Sequence, residues 1–216
     1  MARKTKAEAA LTRDRIVACA RQVFSRDGVT NTSLEHVAKE AGVTRGAVYW
    51  HFRDKADLFM AVRLDTGSLL RLSPEKGEDP LHRLELFLLE AIRRLRDEDK
   101  VRETYEVMLW RCEYVGEFAT VRDDLMASGR GFIEEVTALY GEAKSAGLTD
   151  PRLDPELASL ETFCLYAGIL KAWLAAPAEG LMRRKTEAMI RQHVALRRLP
   201  TPAGLTPAGG ARKKNA

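Results

Sequence analysis

The side chains best suited to chemistry lie close together in the N-terminal quarter of the chain. Arg45 can donate two parallel hydrogen bonds to the O6 and N7 atoms of a guanine base. Thr44, Tyr49 and His51 carry hydroxyl or imidazole groups that can donate to phosphate oxygens. No acidic residue occurs from position 41 to position 53, so nothing in that stretch repels a polyanion. This combination predicts a surface that binds DNA.

Two short helices joined by a glycine turn would hold these side chains on one face. Thr32 with Glu35 predicts a capping box at the start of the first helix, and Ser33 is the alternative N-cap. Gly42 allows the positive φ that a sharp turn needs. The pattern predicts a helix-turn-helix over residues 33–52.

Phosphate contacts are expected on both sides of this motif. Asp54 caps a further helix and Lys55 follows it, so a positive charge and unpaired backbone N–H groups can point at one phosphate. Lys4 and Lys6 belong to a basic arm that would contact the DNA backbone or minor groove. The alternative is a plain helical hairpin whose adjacent aromatic residues belong to the core. The candidate DNA-binding residues are Lys4, Lys6, Thr32, Ser33, Thr44, Arg45, Gly46, Tyr49, Trp50, His51 and Lys55.

The charge of the chain is distributed unevenly. Of a total of +4, residues 1–55 contribute +5, residues 56–182 contribute −9 and residues 183–216 contribute +8. A basic head joined to an acidic body is typical of a polyanion-binding end attached to a part with another role. Charged helix faces of mixed sign are the simpler explanation, and on charge alone the two stay open.

Composition excludes several classes of protein. The three cysteines are far apart and odd in number, which excludes a disulfide framework and fits a reducing cytoplasm. The four histidines show no metal-ligand spacing, so we expect neither a metal nor a cofactor. The longest uninterrupted apolar stretch, residues 163–170, is too short to span a bilayer, and no signal peptide is visible. No nucleophile–base pair or phosphate loop is evident, so we expect no enzymatic activity.

Helical periodicity extends along nearly the whole chain. Apolar residues recur at intervals of three and four, and no alternating strand pattern is present. The sequence therefore predicts an all-α protein of about nine helices. We expect a DNA-binding domain over residues 1–55, a ligand-binding and dimerisation domain over residues 56–199, and a disordered basic tail over residues 200–216.

The run AGVTRGAVYWHFRDK, residues 41–55, resembles the signature of the TetR family of transcriptional regulators. The opening MARKTK and the run CEYVGE, residues 112–117, resemble its AcrR-like branch of multidrug efflux repressors. The resemblance implies an all-helical cytoplasmic homodimer with three DNA-binding helices in each subunit. It also implies a palindromic operator, repression of a neighbouring operon for a multidrug (RND-type) efflux pump, and release by small lipophilic drugs.

The ligand-binding body is less well defined by the sequence. A helical pocket lined by aromatic residues and a few polar groups would suit a partly apolar ligand, and the acidic body would favour a cation. Arg63 and Gly67 stand where related repressors place a Trp and a Glu, which predicts a reshaped pocket. Ordinary core packing is the alternative for each aromatic residue. The candidate ligand-binding residues are Arg63, Tyr105, Leu109, Trp110, Glu113, Phe118, Phe132, Phe163 and Tyr166.

The resemblance also favours a dimer interface built by the last two long helices. Gly168 would allow a partner helix to approach closely, although internal packing is the alternative. The candidate interface residues are Leu160, Cys164, Gly168, Trp173, Ile190 and Val194.

Two further questions stay open at the level of sequence. A regulator of metabolic genes, an activator with a non-drug ligand and a purely architectural DNA binder are all compatible with the same DNA-binding head. Cys112 could sense redox state, and the alternative is an inert buried cysteine.

Overall fold

A computed structural model describes residues 6–71 and 79–199, and within these ranges it contains nine α-helices and no strand. This confirms the predicted all-α class and the helix number. Lys4, most of the polar stretch before α5 and the basic tail lie outside the described residues. The helices are α1 (Lys6–Asp27), α2 (Leu34–Glu40), α3 (Arg45–His51), α4 (Lys55–Leu64), α5 (Pro80–Asp97), α6 (Asp99–Trp110), α7 (Ala119–Ser145), α8 (Pro155–Ala175) and α9 (Leu181–Ala195), with a 3-10 turn at Gly116–Phe118 before α7.

Polar side chains start the helices where the sequence predicts them. The Thr44 hydroxyl accepts a hydrogen bond from the Ala47 N–H at 3.2 Å, and the Asp54 carboxylate accepts one from the Asp57 N–H at 2.7 Å. At α2 the open question is resolved in favour of Ser33, whose hydroxyl oxygen accepts from the His36 N–H at 3.1 Å.

The C-terminal bounds of the last two helices differ from the predicted ones. α8 ends at Ala175 instead of Pro177, because the residue before a proline avoids the helical conformation and Ala176 is extended. α9 ends at Ala195 instead of Leu199, because the chain turns and the Leu199 N–H donates to the Leu148 carbonyl at 2.9 Å.

The first three helices pack together as a small head. Ile16 and Phe24 of α1, Val37 of α2 and Val48 of α3 are all buried there. Gly42 has a φ of +61°, and this left-handed turn allows the Val43 N–H to donate to the Ala38 carbonyl at 3.0 Å. α4 packs against α1 and α6, so the predicted division at residue 55 stays a prediction.

The remaining helices form a bundle around a cluster of aromatic side chains. Phe132 of α7 stacks on Tyr166 of α8 with ring centroids 5.5 Å apart. Phe87 of α5 lies 5.8 Å from Phe132, and Phe163 lies 5.9 Å from it. We call these four residues the aromatic cluster.

Two tyrosine hydroxyls fix the backbone of Leu69, which follows α4. The Leu69 N–H donates to the Tyr105 hydroxyl at 2.7 Å, and the Tyr166 hydroxyl donates to the Leu69 carbonyl at 2.8 Å. Both tyrosines are buried, and burial is the main cause that raises the pKa of each phenol. The segment after α4 is therefore held by α6 and α8 together.

Tyr166→Phe tests the contribution of this contact. We expect the free energy of unfolding to fall by about 1–3 kcal/mol, because the buried Leu69 carbonyl loses its donor. Tyr49→Phe, which removes an exposed hydroxyl, should change it by less than about 0.5 kcal/mol. Denaturant unfolding at one protein concentration measures both, and equal losses would contradict the assigned role.

Candidate nucleic-acid interface

The exposed face of α3 brings the predicted base-reading and phosphate-binding residues together. Val48 is the buried residue of this helix, whereas Tyr49 is 43% and Trp50 72% exposed. The alternative in which these aromatic residues belong to the core is therefore wrong. The Arg45 side chain is 69% exposed, and an added Cβ at Gly46 would meet open space. Trp50 packs edge-on against His51, with 4.5 Å between the ring centroids.

Glu35 on α2 is part of this face, although the sequence assigned it only to a capping box. Its Oε1 lies 3.0 Å from Nε of Arg45 and accepts a hydrogen bond from the Tyr49 hydroxyl at 3.1 Å. The Arg45 guanidinium also lies over the Tyr49 ring, 5.2 Å from its centroid. Hydrogen bonds from the Glu35 backbone N–H and from Tyr49 hold the pKa of this carboxyl below its usual value. We call Glu35, Arg45 and Tyr49 the recognition triad.

Lys55 lines one cavity with Tyr49 of α3 and also contacts the body. Its Nζ donates to the Thr30 carbonyl at 3.3 Å and lies 3.7 Å from Oε1 of Glu117. The same Nζ lies 5.7 Å from the centroid of the Phe118 ring. An open cavity of about 330 Å³ adjoins these groups. Its lining residues are Thr32, Ser33, Leu34, Tyr49, Arg53, Asp54, Lys55 and Glu117.

Thr32 and Lys6 complete the predicted DNA-binding set. Thr32 is buried, and its hydroxyl donates to the Gly28 carbonyl at 2.8 Å, so it supports the turn before α2. Lys6 is exposed at the first position of α1.

An ion pair made by a buried arginine connects the head to the body. Arg21 of α1 is only 5% exposed; it forms an ion pair with Asp65 at the end of α4, and its Nε donates to the Thr104 hydroxyl of α6 at 3.0 Å. Nζ of Lys100 lies 2.8 Å from the same Asp65. Burial raises the pKa of Asp65, but the hydrogen bond and charge of Lys100, with Arg21, outweigh it and hold that pKa below its usual value. We call Arg21, Asp65, Lys100 and Thr104 the head–body joint.

Two further contacts support this connection. The Val29 N–H, after α1, donates to the Arg111 carbonyl after α6 at 2.9 Å. Arg63 of α4 forms an ion pair with Asp124 of α7 and donates to the Ser128 hydroxyl at 2.7 Å. The predicted ligand-binding residue Arg63 thus links α4 to α7.

The other predicted ligand-binding residues fall into two groups. Tyr105, Phe118, Phe132 and Tyr166 are buried and Phe163 is half-buried; Phe132, Phe163 and Tyr166 meet in the aromatic cluster. The remaining three are exposed, at or just after the end of α6, where the Lys171 ammonium lies 5.0 Å from the Trp110 ring centroid. These three residues are Leu109, Trp110 and Glu113.

The predicted dimer-interface residues fall into an exposed group and a buried group. Leu160, Cys164 and Gly168 are exposed along one side of α8, and a Cβ added at Gly168 would meet open space within the subunit. Three others, Trp173, Ile190 and Val194, are instead buried inside the subunit.

Exposed apolar side chains continue on the same two helices. Leu157 precedes Leu160 on α8, and Leu181, Met189 and Leu196 are exposed along α9 and just after it. By length and composition alone α8 could cross a membrane, with a mean hydropathy of 1.3. Its buried side packs against α7 and α9, as in the core helix of a bundle. This packing leaves Leu157, Leu160, Cys164 and Gly168 exposed, and we call these residues the outward strip of α8.

The described residues contain no cluster of three or more metal-ligating side chains. Cys112 is half-buried, and burial raises the pKa of its thiol to about 11. Little of it is therefore thiolate at neutral pH, which disfavours a redox sensor because the thiolate is the reactive form.

Two family patterns match the chain. The pattern described as "Bacterial regulatory proteins, tetR family" matches residues 16–62. The pattern described as "MAATS-type transcriptional repressor, C-terminal region" matches residues 79–198. Together they cover the helix-turn-helix and the helices α5 to α9, whereas Asp65 lies in the segment between the two matched ranges.

Individual proteins resemble the chain along most of its length. The HTH-type transcriptional regulator AcrR of Shigella flexneri is 35% identical over 204 residues, covering 91% of this chain and 92% of that protein. The HTH-type transcriptional regulator TtgR of Pseudomonas putida is 33% identical over 183 residues, covering 82% of this chain and 87% of that protein. The crystal structure of NalD, the secondary repressor of the MexAB-OprM multidrug efflux pump in Pseudomonas aeruginosa, has a TM-score of 0.75 at 32% identity. That match covers 90% of this chain and 98% of NalD.

Cys112→Ser tests whether oxidation of this thiol affects DNA binding. We expect the parent and the variant to bind DNA equally well before and after treatment with hydrogen peroxide, because the protonated thiol reacts slowly. Fluorescence anisotropy with a labelled duplex measures binding, and mass spectrometry reports the state of the cysteine. Loss of binding in the parent alone would show that Cys112 senses oxidants.

Proposed function

The chain belongs to the TetR family of bacterial regulatory proteins, and we propose that it is a ligand-responsive repressor of a multidrug efflux operon. The observation that carries the DNA-binding part is the exposed face of α3, where Arg45, Tyr49 and Trp50 project from a helix anchored by Val48. The efflux part rests on similarity to NalD, which is described as a repressor of such a pump.

On this proposal α3 enters the major groove and Arg45 reads a guanine. The two subunits of a dimer place their α3 helices in successive major grooves of a palindromic operator. Lys55, Ser33 and the basic arm that includes Lys6 contact phosphates and fix the register, since such contacts position a protein without reading sequence.

Dimerisation uses the outward strip of α8 and the exposed side of α9. Leu157, Leu160 and Leu196 are apolar and exposed, and burial against a second copy would remove them from water. Gly168 supplies the closest approach between the two α8 helices. The buried residues Trp173, Ile190 and Val194 support these helices from within the subunit.

The ligand acts through the contacts that connect the body to α4. A small lipophilic molecule, cationic in view of the acidic body, binds among the helices around the aromatic cluster. It favours a body conformation in which α6 and α7 carry α4 to a new position through Asp65 and Arg63. The compound releases DNA only to the extent that it binds this conformation more tightly than the DNA-bound one.

A metabolic regulator is the second candidate, and Arg63 favours it. Its guanidinium is already paired with Asp124 and Ser128, so the body presents an ion-paired residue where related efflux repressors place an aromatic one. In either case we expect a cytoplasmic protein without catalytic activity.

A mobility-shift experiment tests the proposed function. The probe is the DNA upstream of the chain's own gene and of its nearest divergent neighbour, with competitor DNA and a panel of lipophilic antibiotics and cationic dyes. We expect a competitor-resistant shift that a subset of the compounds abolishes. A selective shift that none of these compounds abolishes would favour the second candidate, and the absence of any selective shift would contradict DNA-binding repression at these sites.

Arg45→Ala and Lys55→Ala should have different effects. We expect Arg45→Ala to cost about 1–3 kcal/mol of operator binding and to relax sequence choice, because a base contact is lost. Lys55→Ala should weaken binding to all duplexes and reduce the salt slope by about one. Anisotropy titrations at several salt concentrations separate the two effects. An Arg45→Ala variant as selective and as tight as the parent would contradict base reading.

Gly168→Leu tests the dimer interface. We expect it to shift the protein toward monomer. The leucine side chain projects into space that its own subunit leaves open, but it would fill the space that the α8 helix of the second copy needs. Gly131→Leu is the matched control, since it is also a helical glycine with open space around an added Cβ. Sedimentation velocity measures both, and a Gly168→Leu protein that stays dimeric would place the interface elsewhere.

A further inference from the structure

The recognition triad contains a carboxylate on a surface otherwise suited to DNA. Glu35 is exposed, yet it contacts two residues of the neighbouring helix: its Oε1 forms an ion pair with Arg45, 3.0 Å from Nε, and accepts a hydrogen bond from the Tyr49 hydroxyl at 3.1 Å. An acid at this place repels phosphate, so its contribution to DNA binding must come through the residues it holds.

The contact leaves the reading end of Arg45 available. A guanidinium has five N–H donors, and the Glu35 carboxylate lies on its Nε side. The two terminal nitrogens remain for a bidentate contact with guanine O6 and N7. The Tyr49 ring supports the guanidinium plane from one side, 5.2 Å from its centroid. Arg45 is therefore held in one orientation before DNA arrives, which lowers the entropy that base recognition must otherwise lose.

We propose that Glu35 is a specificity-determining positioning residue that orients Arg45 for base reading and penalises DNA that offers Arg45 no base partner. This inference rests on the proposed DNA-binding function. On an operator, Arg45 keeps its ion pair with Glu35 and gains the guanine contact. On unrelated DNA the guanine contact is missing, and the ion pair with Glu35 competes with any phosphate that Arg45 could bind instead.

The experiment begins with the full-length parent protein and a library of random DNA duplexes. Duplexes enriched over several rounds of binding supply one selected sequence, and a scrambled version of it supplies the non-specific reference. Dissociation constants for both duplexes are then measured by anisotropy for the parent, Glu35→Gln, Arg45→Ala and the double variant. Glu40→Gln is the matched control, because it removes the same charge from the same helix, where Glu40 lies 3.6 Å from His36 and 3.8 Å from Arg26.

We expect Glu35→Gln to lower the ratio of selected to scrambled affinity by about two- to fivefold, the range for one exposed ion pair. The fall should come mainly from tighter binding to the scrambled duplex. In the Arg45→Ala background the same substitution should leave the ratio unchanged, because Glu35 acts through Arg45. Glu40→Gln should leave the ratio unchanged in the parent background.

Three results would overturn the inference. An unchanged ratio in Glu35→Gln would show that the orientation of Arg45 does not depend on Glu35. An equal fall in the Arg45→Ala background would show that Glu35 contacts DNA directly, and an equal fall in Glu40→Gln would reduce the effect to charge. Failure of the parent to enrich any duplex would instead contradict the proposed function, and the inference with it.

Discussion

The arrangement of the whole subunit depends on one buried guanidinium, that of Arg21. A charge that is 5% exposed must be paired, because burial without a partner costs several kcal/mol. Arg21 belongs to the head, whereas both of its partners belong to the body: Asp65 follows α4, and Thr104 lies on α6. The head therefore cannot shift far from the body without leaving this charge unpaired. In our proposal the head–body joint passes movement of the body to the head, because a change that moves Asp65 or Thr104 must also move α1.

Two cations near the exposed face of α3 also pair with carboxylates. Glu35 pairs with Arg45 within the head, whereas Glu117, which pairs with Lys55, belongs to the turn that precedes α7. In our proposal the first pair orients the residue that reads a base, and the second connects a residue that binds phosphate to the body that binds the ligand. Base reading and phosphate binding would then be positioned by different parts of the molecule.

Local features could be predicted from the sequence, and long-range ones could not. Thr44 and Asp54 cap their helices as predicted because capping depends on residues three positions apart. The pairing of Lys55 with Glu117 depends on tertiary packing and left no local signal. α8 shows the same limit, because a helix that is apolar on most sides has no periodicity to tell its inner face from its outer one. Leu160 and Trp173 could not be distinguished for this reason, although one is exposed and the other buried.

In our proposal DNA and a small molecule bind two coupled sites on one chain. Coupling between binding sites is reciprocal, so it can be measured from the ligand side. The direct test takes the compound that best releases DNA and measures its dissociation constant by calorimetry, with and without saturating operator duplex. We predict that the duplex weakens binding of the compound by the same factor by which the compound weakens binding of the duplex. Equal affinity of the compound for the free and the DNA-bound protein would contradict coupling between the two sites.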